Sequence, residues 1–215
     1  MSSASVRGES PDEERNGAGG ALGLDDLNRA AKLGLRGDPR ELRRVLERLE
    51  RYEFLPQIKF AAYALVAQFY MNTSPSTPSE CEACGARCCL EGPPLPIYDF
   101  DLEELVEAGV DASIFSEVEG LRVLPRPCPL LRGWACSVQP VKPYACLSYP
   151  LATEDEQAEA MASYDGEGLP RLIAPESCPA AARALRELEE LSSSLGREPR
   201  PLELLEALTS ARGKP

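Results

Sequence analysis

The chain has 215 residues, a formal net charge of −12 and no histidine. The missing histidine excludes Ser-His-Asp and Cys-His catalysis, HExxH zinc sites and zinc fingers built on paired Cys and His. The acidity argues against a nucleic-acid partner, because like charge repels a phosphate backbone. Hydrophobic residues at 43% and charged residues at 27% fit a globular chain.

In chain order, residues 1–20 are small, polar and Gly-rich and predict a disordered tail with no apolar leader. A helical module follows over 21–72. Leu27, Ala30, Ala31 and Leu35 share one face of a first helix that Gly37 can end. Asp38-Pro39-Arg40-Glu41 then supplies an N-cap, a proline at the first helical position and a capping-box glutamate. Leu42, Val45, Leu46 and Leu49 give the second helix its stripe. A third, apolar on most faces, is expected from Ile58 to Met71. Its apolar run is interrupted by Gln68 and is well short of the ~20 residues that a membrane span needs. Without span or leader, the cytoplasm is the expected compartment and no membrane partner is expected.

Residues 73–80 are rich in Ser, Thr and Pro and read as a linker. The segment 81–180 is rich in Pro, Gly and Cys. A short helix is expected there, capped by Asp101 and closed by Gly109. Leu121–Leu124, Trp134–Val138, Leu147–Leu151 and Met161–Tyr164 are candidate short strands. Trp134 reads as a packing anchor. Helix returns over 181–215, with Ala181, Leu185, Leu188 and Leu195 in one stripe and a last helix near Pro201–Ala211. The fold class expected is α+β: a helical N-terminal module, a loop-rich cysteine domain with a small sheet, and C-terminal helices.

The eight cysteines are the chemical signal. Cys81 and Cys84 form a CxxC pair, whose spacing lets two thiolates converge on one ion while Gly85 allows a tight turn. Cys88 and Cys89 follow as a doublet. Adjacent side chains point in different directions, so the doublet suggests two metals, a cluster of several irons, or one ligand beside a packed thiol. Cys128, Cys136, Cys146 and Cys178 are spread downstream, and Pro follows Cys128 and Cys178 directly. Arg87, Arg126, Arg132 and Lys142 lie among them and would offset thiolate charge. Disulfides fit poorly without an export signal. A redox CxxC pair would open a helix after a strand, and here it follows a Ser/Pro stretch. A clustered metal site is the reading favoured, with Cys89 the thiol most easily spared.

Taken together, these cysteines resemble the bacterial YkgJ-like cysteine-cluster family, described as zinc- or iron-chelating domains. The residues that carry the resemblance are Cys81-x-x-Cys84-Gly85 with Cys88-Cys89, and Cys128-Pro129-Leu130-Leu131-x-Gly133 with Cys136-Ser137-Val138. Lys142-Pro143-x-x-Cys146 with Tyr149-Pro150, and finally Cys178, complete it over about residues 80–180. The sequence departs from the family in three places. Three residues precede the doublet instead of two, Lys142 stands for an arginine, and Leu147 stands where an arginine follows the cysteine. The resemblance implies zinc or iron held by thiolates, with an iron–sulfur cluster among the options. A flagellin lysine methylase looks like a distant relative with the same cluster. It adds an alternative: an iron–sulfur redox or methyl-transfer enzyme, or an electron carrier.

Overall fold

The computed structural model describes residues 23–151 and 155–212, and the tail expected over 1–20 lies outside them. Helix α1 spans Leu24–Arg36 and α2 spans Pro39–Glu50. The corner between them satisfies both ends at once. Gly37 takes φ 122°, its N–H bonds to Gly34, and the Asp38 N–H reaches back to the Leu33 carbonyl. Asp38 then caps α2, its carboxylate accepting the N–H groups of Arg40 at 2.9 Å and Glu41 at 3.4 Å. Only half of the expected capping box forms, because the Asp38 N–H is already committed to Leu33. Glu41 pairs with Arg44 instead.

Helix α3, Pro56–Thr73, is the axis of the molecule and is buried on most faces. Against it pack α1, α2 and two C-terminal helices, α9 (Pro179–Ser194) and α10 (Pro201–Arg212). Leu35, Leu42, Leu46, Val66, Ala67, Leu188, Leu205 and Leu208 fill one shared core. The N- and C-terminal helices therefore build a single bundle, and Leu147 and Leu151 of the cysteine region plug into it.

The segment read as a linker is largely helical. Thr77–Ala83 forms α4, anchored by the Thr77 hydroxyl on the Met71 carbonyl at 2.5 Å. A proline at its first turn fits a helix start as well as a linker. Next come α5 (Arg87–Leu90), β1 (Leu95–Pro96) and α6 (Asp99–Glu107). Strands β2 (Ser116–Val118) and β3 (Leu121–Leu124) complete an antiparallel sheet of order β1-β3-β2. A second hairpin pairs β4 (Leu131–Arg132) with β5 (Ala135–Cys136), with Gly133 at φ 63° in its two-residue turn.

Two expected strands are not extended but helix and turn. Leu147–Leu151 begins inside α7 (Tyr144–Ser148), and Met161–Tyr164 ends α8 (Asp155–Ser163). Of the third, Trp134–Val138, Ala135–Cys136 is extended. Around the sheet lies a second, thinner core of Ile97, Leu105, Leu124, Leu130 and Val138. The fold is thus α+β, as expected, with a helical bundle beside a small-sheet cysteine region.

Candidate metal centre

Four short elements, α4, α5, β5 and α7, deliver six of the cysteines, and Cys128 and Cys178 come from loop positions. Cys81 sits in α4 and Cys84 is its C-cap residue, the Cys84 thiol donating to the Cys81 carbonyl at 3.3 Å. Gly85 at φ 68° and Ala86 at φ 54° then reverse the chain, and the Ala86 N–H closes the turn on the Cys81 carbonyl. A left-handed alanine costs of order ~1 kcal/mol. Its side chain is buried, and the turn it makes returns Cys88 and Cys89 towards α4. The Cys128 N–H donates to the Cys89 carbonyl at 2.7 Å, tying the second cysteine group to the first. Cys136 lies on β5, Cys146 in α7, and Cys178 is the residue before α9.

Six thiols line one cavity of about 280 Å³: Cys81, Cys88, Cys89, Cys128, Cys136 and Cys146. Cys84 and Cys178 lie outside its wall, yet both are near enough to Cys81 to interact electrostatically. All eight cysteines are half-buried and free, and the shared cavity with the two thiols beside Cys81 brings the sequence candidates into one region. Their side chains do not already form a ligand shell. Among the described residues no three Cys, Asp or Glu side chains stand as a ready metal-binding group. The donor chemistry fits a thiophilic ion, and rotation about the Cys side-chain bonds would be needed to converge the sulfurs.

Of the four cations noted in the sequence, Arg126 and Lys142 line the cavity. Arg87 is exposed, and Arg132 is exposed with its guanidinium on the carbonyls of Pro129 and Leu131. One Arg126 nitrogen, Nη1, is buried with no hydrogen-bond partner among the described residues. A guanidinium nitrogen rarely stays unpaired away from water, so this one marks the cavity as a place for negative charge.

The thiols respond to this setting unequally. Burial pushes the Cys81 thiol up to about 11, against the pull of Lys142. Burial does the same to Cys146, also to about 11, against Lys142 and Arg126. Burial raises Cys178, opposed by the Ala181 amide at the start of α9. Cys88 is pulled down to about 6, first by its hydrogen bond with Cys89 and then by Lys142 and Arg126. The same bond and burial hold the Cys89 proton in place. The bond between the two thiols thus favours a single proton shared by the doublet.

The sequence missed two features. Trp134 is not a buried anchor. It is 40% exposed in the β4–β5 turn and lines the cavity. Asp101 is not the N-cap expected: α6 begins at Asp99 with Tyr98 as its N-cap, and Asp101 sits in the first turn. Fully buried, it accepts the Tyr98 N–H at 3.4 Å and the Tyr144 N–H at 2.9 Å, and pairs with Lys32 of α1 at 2.6 Å. Tyr144 opens the helix that carries Cys146, so a charge pair between α1 of the bundle and α6 fixes one cysteine element. Compared with models of known families, with curated proteins and with solved structures, the chain matches none.

Proposed function

We propose that this chain is a thiolate metal-binding protein holding zinc or iron between its short helices and hairpin. The observation that carries the reading is the single cavity walled by six cysteine thiols and two cations, with the remaining two cysteines beside it. Thiolates are soft donors that select zinc and iron–sulfur centres, and without histidine no other strong nitrogen ligand competes. Cys81, Cys84, Cys88, Cys89, Cys128, Cys136, Cys146 and Cys178 would be the donors, and Arg126 and Lys142 would offset their charge. The YkgJ-like resemblance supports the same reading. Free thiols also suit a reducing compartment, which favours the cytoplasm. No helix among the described residues is long and apolar enough to cross a membrane.

Bound zinc would lock a region whose own core is thin. Arg126, Lys142 and the buried walls would lower the cost of gathering thiolates and keep water from the sulfurs. A second reading is favoured by the cavity's volume, which exceeds the room one ion needs. An iron–sulfur cluster there would supply electron transfer or cluster-assisted group transfer.

Metal analysis and visible absorption of anaerobically purified protein test both. Zinc without colour supports the chelating role, and iron with sulfide and a broad band supports the cluster. Metal-free protein whose cysteines all alkylate freely would contradict both readings.

A further inference from the structure

We propose that the eight cysteines form two four-thiol metal sites: Cys81, Cys84, Cys88 and Cys178 in one, Cys89, Cys128, Cys136 and Cys146 in the other, with Arg126 and Lys142 as counter-cations shared between them. This rests on the metal-binding reading above and adds its stoichiometry and ligand sets.

The first set is built where α4 meets α9. Cys81 and Cys84 end α4, and the Gly85-Ala86 reversal brings Cys88 back beside them. Helix α9 is clamped to α4 by Arg183, which grips both oxygens of Glu80 at 2.7 and 3.0 Å and the Thr77 hydroxyl at 3.2 Å. Glu80 immediately precedes Cys81, and Cys178 immediately precedes α9, so this clamp sets Cys178 against the CxxC pair.

The second set belongs to the small core. Cys128, Cys136 and Cys146 all pack on Leu105, Leu124, Leu130 and their neighbours. Cys89 joins them through its carbonyl, which accepts the Cys128 N–H at 2.7 Å. The doublet sits at the join of the two sets: its thiols hydrogen-bond to each other, with Cys88 near Cys81 on one side and Cys89 near Cys128 on the other.

Electrostatic proximity follows the same division. Cys81 feels Cys88, Cys84 and Cys178, and Cys178 feels Cys88 and Cys84. Cys146 feels Cys128 and Cys136, and Cys89 feels Cys128 besides its neighbour Cys88. The cations span the division. Lys142 acts on Cys81, Cys88 and Cys146, and Arg126 acts on Cys88, Cys89 and Cys146. Four thiolates on a divalent ion leave a net charge of about −2, so two neighbouring sites need cations between them. The unpaired Arg126 Nη1 is placed to meet that need.

The test uses full-length protein purified anaerobically. Metal per chain is measured first, and two zinc ions or two iron–sulfur clusters are expected. Stepwise chelation with N-ethylmaleimide trapping and peptide mass spectrometry should then expose the thiols in two sets, divided as above. Cys178→Ser and Cys146→Ser should each retain one centre. Arg126→Gln should weaken metal retention at both sites, by about 10-fold or more, as outer-shell changes do. A wild-type chain with no metal overturns the parent reading. A chain with one centre, thiols released together or in sets mixed across the division, or an Arg126→Gln effect missing at either site overturns the two-site assignment. The wild-type trapping pattern decides the division even if a serine variant fails to fold.

Discussion

Asp101 and Lys32 show how a buried charge can serve a distant thiol. Lys32 is 1% exposed and Asp101 0%, with Glu104 at 3.0 Å from the same ammonium and the Phe100 ring 5.5 Å away. Removing Asp101 leaves the buried Lys32 with Glu104 alone, and breaking a buried pair costs up to about 3–5 kcal/mol. Asp101→Ala should therefore lower stability by about that much in chemical denaturation. It should also weaken metal retention, because the Tyr144 N–H loses its acceptor two residues before Cys146. Stability and metal retention both unchanged would contradict the role. Local spacing showed Asp101 at a helix start. Its pairing with Lys32, 69 positions earlier by number (101 − 32), left no mark in either segment. The cysteines themselves were legible because their chemistry is rare. Which cations face them was not, since Arg87 and Arg132 sit as close in sequence as Arg126 and Lys142. The thiols also set a pH dependence. In the metal-free fold Cys81 and Cys146 are raised from 9.0 to about 11. Their contribution is complete below 9.0 and is lost as pH climbs towards 11. Metal-free protein should thus melt at progressively lower temperature across that interval, and a flat profile would contradict buried, protonated thiols.

The elements read most plainly from the sequence are those with a cap and a stripe. Helices α1, α2, α3, α9 and α10 fall where Asp38, the prolines and the leucine spacing put them. The misread ones are short and owe their state to remote partners. Helix α7 starts where Asp101 accepts the Tyr144 N–H, and Leu147 is drawn into the bundle core. Near α8, buried Gln157 accepts the Ile173 N–H at 2.7 Å, a contact that crosses an irregular loop. A mostly apolar stretch of four or five residues is compatible with strand or helix, so tertiary contacts decide. Close approach between elements is equally specific. A methyl at Gly34 would stand 2.8 Å from the Leu42 Cβ, where α1 crosses α2. Gly34→Ala should cost about 1–3 kcal/mol through overpacking, despite alanine's better helix propensity. A gain in melting temperature would show that the crossing can relax.

The molecule as a whole divides its stability between two cores of unequal size. The bundle around α3 buries leucines from five helices and needs no ligand to close. The cluster around the small sheet of the cysteine region has five buried apolar residues, with three short strands in the larger sheet and long irregular connections. Such a region gains most from a cross-link through metal. Chelation should therefore speed amide exchange in β1, β3 and the cysteine loops while α3 stays protected. Equal deprotection of α3 would mean that the two cores unfold as one. The most direct test of the central claim is the metal content and free-thiol count of the full-length protein purified without oxygen. Bound zinc or iron with cysteines shielded from alkylation until a chelator is added is the expected result. A metal-free protein with eight freely alkylated thiols would contradict it.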